Sequence, residues 1–294
     1  MADKKPRFQQ NTIAMVYDFD GTLCPQPMQD YTVLPSIGMT SEAFWHEVAG
    51  QTMTSGEERM LVYMRLLLEK AQQAGVGIRR NEFARMASRI RYYPGVTTWF
   101  EQINRYVKEH GHGRVKLRHY IISAGLKEIL EGTRIHHHFA EIYASQYHYD
   151  DSGLATFPAV VITDTTKTQY LFRINKGRED PRESINEHMP ESMRPVPFEN
   201  IIYIGDAIAD IPSMAVTRKN GGHTIAVHNE HRRGSLETCK TLLKDGRVDF
   251  TAPADYRQRG PLARRVRLLL DSVISGIAYQ RELFESKQYY DIPE

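Results

Sequence analysis

Ile13-Ala-Met-Val-Tyr-Asp18-Phe-Asp20-Gly21-Thr22-Leu23 is the stretch whose reading decides the fold. A short apolar run rich in β-formers reads as a buried strand, and it delivers two carboxylates, one residue apart, onto a Gly-Thr turn. Like charges this close at the end of an apolar strand are costly unless a cation or a bound proton offsets them. The stretch therefore predicts a site, with Asp18 and Asp20 in it.

Working outward, 294 residues are enough for one large α/β domain or for a core with a smaller companion. A hydrophobic content of 41% and a charged content of 25% are ordinary for a soluble globular chain and exclude wholesale disorder. The formal net charge of +2 does not call for a polyanion, so no nucleic-acid partner is expected. Cys24 and Cys239 are too few for a disulfide framework or a zinc site. Without a run of 18 apolar residues or a charged-then-apolar leader, the expectation is a cytoplasmic protein with no membrane partner.

From Pro25 to about residue 92 the pattern is helical with no convincing strand, which makes 25–92 a candidate second domain beside a core of 1–24 and 93–294. Thr54-Ser-Gly-Glu57 has capping-box spacing and predicts a helix starting there, with Met60, Leu61, Met64, Leu67, Leu68 and Ala71 as its apolar stripe. A helix over 96–109 leads to a strand through Leu117–Ile122, which is expected to stop at Ser123-Ala-Gly125 before a short helix. Strand, hydroxyl residue, glycine and helix in succession can form a phosphate-binding turn, although a serine there is also an ordinary helix cap. His136-His-His138 reads as a polar loop, and 142–161 as a β-hairpin beside the main sheet.

Lys167 sits in the first turn of the next predicted helix, where a cation opposes the helix dipole unless it faces an anion; Lys176 competes for that role. Residues 177–199, with four prolines, read as a long exposed connection. Ile201-Ile-Tyr-Ile-Gly205-Asp206-Ala-Ile-Ala-Asp210 then repeats the opening logic, an apolar strand ending in a carboxylate with a second one four residues on. In a parallel sheet neighbouring strands open onto one crevice, so Asp18, Asp20, Ser123 and Asp206 are expected to converge. Such an oxygen set suits magnesium. Pro261 opens a last long helix, and the arginines crowding its start read as a solvated face.

These four signals, in this order, resemble the haloacid dehalogenase-like (HAD) hydrolase superfamily, and its phosphoserine-phosphatase-like members in particular. The resemblance spans Asp18 to Asp210. It implies a Rossmann-like, doubly wound parallel sheet with a helical cap, residues 25–92, inserted after the first strand. It also implies that Asp18 is a nucleophile that becomes an aspartyl phosphate, with Asp20 as general acid and then general base. Ser123 and Lys167 would bind the phosphoryl group. Asp18, the backbone carbonyl of Asp20, and Asp206 would hold Mg2+, supported by Asp210. The implied activity is phosphomonoester hydrolysis of a small soluble substrate, phosphoserine being one candidate. A phosphotransferase or mutase using the same intermediate, or a phosphate-binding module without turnover, are the alternatives, and the oligomeric state is left open.

Overall fold

The computed structural model describes residues 7–206 and 208–290. Seven strands form one sheet in the order β4-β3-β2-β1-β5-β6-β7. The strands are β1 (Thr12–Tyr17), β2 (Lys116–Leu126), β3 (Phe139–Tyr149), β4 (Ala155–Val160), β5 (Ile201–Gly205), β6 (His223–His228) and β7 (Phe250–Pro253). Every neighbouring pair is parallel except β3 and β4. β1 lies in the middle and all six of its residues are buried. That is why it reads as a continuous apolar run: a parallel strand covered on both faces has no solvent side to alternate with.

The two faces are covered by different helices. Ile13, Met15 and Tyr17 point to the face packed by Trp99, Phe100 and Ile103 of α6 (Val96–His110) and by Leu262, Val266 and Leu270 of α11 (Pro261–Tyr289). Ala14 and Val16 point to the face covered by α8 (Lys167–Lys176), α9 (Ile211–Lys219) and α10 (Ser235–Lys244), through Leu171, Met214 and Leu242. The result is the doubly wound α/β architecture expected from the sequence.

Between β1 and α6 the chain forms only helices: α1 (Met28–Tyr31), α2 (Val33–Ser36), α3 (Ser41–Ser55), α4 (Arg59–Gln73) and α5 (Arg80–Met86). The expected capping box at Thr54 is not formed. α3 continues through Thr54 and Ser55 and ends at Gly56, which takes the left-handed conformation at φ +69°. α4 starts later, and its cap is Glu58, whose carboxylate accepts from the amides of Met60 (2.7 Å) and Leu61 (3.0 Å). The buried face of α4 is correspondingly Val62, Tyr63, Met64, Leu66, Leu67 and Ala71, while Leu61 is exposed.

The hairpin is not a separate piece beside the sheet: β3 is a full parallel strand of it and β4 its antiparallel edge. Its outer part reaches the helical insert. The Tyr147 hydroxyl donates to the Met64 carbonyl at 2.8 Å, and the Ala155 amide donates to the Ile78 carbonyl at 2.9 Å. The connection after α8 is likewise more ordered than its composition suggests. The buried Arg173 guanidinium donates to the carbonyls of Arg178, Asp180, Pro181 and Glu183, pinning 178–183 from inside. His136–His138 form one 3-10 turn, with His138 stacked on Phe100.

Candidate active site

Asp18 leaves the C-terminal end of β1 with its amide bonded to the Ile204 carbonyl of β5 at 3.0 Å, so the sheet itself fixes where its side chain begins. The carboxylate is 7% exposed, and its Oδ1 accepts from Lys167 Nζ at 2.9 Å. Lys167, the first residue of α8, is itself 2% exposed, and its amine also donates to Asp210 Oδ1 at 2.8 Å. Burial on its own would strip the lysine of its proton. The Asp18 and Asp210 carboxylates outweigh it and raise its pKa well above the usual range. Lys176 stands elsewhere, donating to the carbonyls of Ile185 and Glu187.

Asp210 is fully buried and receives a further hydrogen bond at 2.7 Å from the Tyr203 hydroxyl in β5. Tyr203 had no signal in the sequence. Within an apolar strand, alternation says which face a tyrosine takes, not which carboxylate its hydroxyl meets seven residues later. Gly205 is required by the same contact, because a Cβ there would run into the Asp210 carboxylate. Gly21, at φ +81°, lies equally close to the carboxylate of Asp206. The glycine of the opening motif thus admits a carboxylate from across the crevice as well as making the turn.

Oxygens of Asp18, Asp206 and Asp210 lie within 4.8 Å of one another. Asp210 commits Oδ1 to Lys167 and Tyr203, whereas Asp206 has a buried Oδ1 with no hydrogen-bond partner. A buried carboxylate oxygen without a donor is costly, and one lying among other carboxylates fits a divalent cation. Asp18 and Asp206 are therefore the side chains placed to hold one. Burial first, then the charges of Asp18 and Asp210, push the Asp206 carboxyl well above the carboxylate range, a direction a bound cation would reverse. Arg232, largely exposed, reaches within 3.9 Å of Asp206 Oδ2.

Asp20 does not join the cluster through its side chain. Its Oδ1 accepts from the Met28 amide at 2.8 Å and from Cys24 Sγ at 3.5 Å. Burial, with the charge of Asp18 second, pushes its carboxyl up to about 8. Two carboxylates from one strand end thus differ in character: Asp18 is braced by a cation, while Asp20 is disposed to carry a proton at neutral pH. Ser123 is 1% exposed in β2, next to a shift in register with β3, and its Oγ accepts from the Gly125 amide at 3.0 Å. The strand runs on through Leu126 instead of stopping at the serine.

Fold and site together define an α/β protein whose parallel strands open onto a lysine-braced acidic crevice. Residues 15–215 match the haloacid dehalogenase-like hydrolase family, and the chain belongs to it. An uncharacterized protein of Borreliella burgdorferi is 24% identical over 272 residues, which cover 84% of this chain and 93% of the relative. Among solved structures, a HAD family hydrolase from Salmonella enterica serovar Typhi superposes with a TM-score of 0.57 at 16% identity, over 89% of this chain and 72% of its own. A phosphoserine phosphatase, solved as a phospho-aspartyl intermediate analogue, superposes with a TM-score of 0.54 at 16% identity, covering 88% of this chain and 99% of its own. At these identities the likeness is one of fold.

Proposed function

We propose that the protein is a magnesium-dependent phosphatase that hydrolyses a small phosphomonoester through an aspartyl phosphate on Asp18. The observation that carries this reading is the pairing of a buried, lysine-braced carboxylate with a second buried carboxyl two residues away, where burial favours the protonated form. Asp18 Oδ attacks phosphorus, needing no base because the Lys167 ammonium keeps it ionised in the buried site. Asp20 gives its proton to the leaving oxygen as the ester bond breaks. It then takes a proton from the water that attacks the aspartyl phosphate, releasing inorganic phosphate and restoring Asp18. Ser123 Oγ already accepts from Gly125, so its own proton is available to a phosphoryl oxygen. Lys167 neutralises charge that builds up as an anion approaches an anion, and Asp210 and Tyr203 hold that ammonium in place. Magnesium on Asp18, Asp206 and the Asp20 carbonyl supplies further charge neutralisation for the phosphate when bound.

The helices of residues 25–92 form the cap over a core of 1–24 and 93–294, and they choose the leaving group. Phosphoserine is the first substrate to try, in company with phosphorylated sugars and nucleotides, and the setting is cytoplasmic. The chemistry is tested with p-nitrophenyl phosphate: magnesium-dependent release of phosphate should vanish on chelation and fall at least about 10³-fold in Asp18→Asn. Full activity of that variant, or turnover indifferent to the chelator, would sink the reading.

A further inference from the structure

α11 is unusual among the elements of this chain. Its inner face, Leu262, Val266, Leu270, Val273 and Ile277, is buried on the sheet. Its outer face is apolar at two knobs that solvent reaches freely, Leu268 at 57% and Tyr279 at 62% exposure, with Leu283 at 40%. Arg264, Leu268, Ser272, Ser275, Tyr279 and Leu283 lie in steps of four, four, three, four and four, so they form one stripe along the helix. Read backwards, the steps are the same. A two-fold axis at residues 273–274 would set Leu268 against the second copy's tyrosine at 279, and Ser272 against its serine at 275.

The centre of the stripe is small. Ser272 and Ser275 are small and exposed, so two helix backbones can approach closely at the crossing, while Gly276 turns toward a cleft it shares with Glu191, Phe198 and Asn220 of the same chain. Charge follows the same symmetry. Arg264 and Glu282 are both exposed on this side of the helix, and neither makes an ion pair among the described residues. Under the two-fold operation each faces the other: the arginine of one copy meets the glutamate of the second at both ends of the contact. Asp271, Arg267 and Arg281 follow Arg264 and Glu282 round the same flank and are already engaged within the chain, with Tyr106, the Tyr106 ring and the Arg114 carbonyl.

We infer that α11 is the contact surface for a second copy of this chain, packed antiparallel about residues 273–274. Residues 264–283 span about 28 Å of helix, and a contact confined to one helix pair is small, so association is to be sought at micromolar and higher concentrations. The catalytic crevice lies at the strand ends and takes no part.

Sedimentation equilibrium of the full chain tests this. The expected mass is twice the 33.9 kDa of one chain. Arg264→Glu and Glu282→Arg should each weaken association about tenfold or more, by placing like charges opposite one another, and the double variant should recover it. Both positions are exposed, and circular dichroism should show each variant folded as the parent is. A chain that stays monomeric at 200 µM (about the upper working range for a micromolar contact), a dimer indifferent to both reversals, or a double variant that fails to recover, overturns the assignment.

Discussion

Lys167 keeps its charge inside the protein because the carboxylates of Asp18 and Asp210 both accept from it, Asp210 being held in turn by the Tyr203 hydroxyl, and removal of either carboxylate leaves a buried charge less compensated. His119 shows the opposite solution. It is 2% exposed, between the Tyr17 hydroxyl at 3.2 Å and Asn104 Oδ1 at 3.2 Å, and burial lowers its pKa to about 3. A histidine held neutral when folded binds its proton in the unfolded chain from about pH 6.5 downward. Its contribution is therefore complete above that value and is lost progressively as the pH falls toward 3. Urea titrations should show a decline of about 2–3 kcal/mol from this group by pH 4.5, and His119→Gln should flatten that part of the acid limb. An unchanged acid limb in the variant would show that His119 is not the group responsible. The meeting of Asp18 and Asp206 was legible in the sequence because an acid directly after an apolar strand has few bland explanations, whereas the side chain of Asp20, expected with them, turns to the Met28 amide. Tyr203 was not legible, since its partner is set by the path of the turn between β5 and α9.

Helix boundaries were harder to read than strand ends. Thr54 and Glu57 have the spacing of a capping box, but Gly56 lies between them and takes a left-handed conformation that only ends a helix. The Thr54 hydroxyl donates back to the Gly50 carbonyl within α3, and Glu58 does the capping of α4. Glu58→Ala should therefore lower stability by about 0.5–1 kcal/mol in thermal or denaturant unfolding, whereas Thr54→Ala should change it little. The reverse order would restore the capping-box reading. The 177–199 connection was opaque for a related reason. Arg173 orders its first part, 178–183, and Lys176 holds Ile185 and Glu187, all through backbone carbonyls, which any sequence supplies, so only the fold reveals that two cations organise a stretch that looked merely charged and proline-rich.

The whole molecule carries a concentration of negative charge at the sheet's carboxyl end that the rest of the fold must tolerate. Magnesium should accordingly raise the melting temperature. At one hundred times its dissociation constant the gain is about 2.7 kcal/mol, or several degrees for a chain of this size. Asp206→Asn should melt higher than the parent in chelator, because the cost of burying a carboxyl beside Asp18 and Asp210 is gone, and should lose most of the magnesium increment. Differential scanning calorimetry with and without the ion reads both. An Asp206→Asn protein that gains as much from magnesium as the parent would place the ion elsewhere. No helix among the described residues is long and apolar enough to cross a membrane.

The β3–β4 hairpin bears on how such a chain could be recombined. Strand β3 is bonded into the sheet, yet the turn it carries meets the insert at Met64, Ile78 and Arg79. Exchanging residues 25–92 alone between relatives would set the grafted helices against an edge whose contacting side chain, Tyr147, belongs to the host. The unit that can be inherited or transplanted intact is discontinuous: the helices together with residues 146–160, a strip of another strand's making. Changes in the insert and in the sheet's outer edge are for that reason coupled.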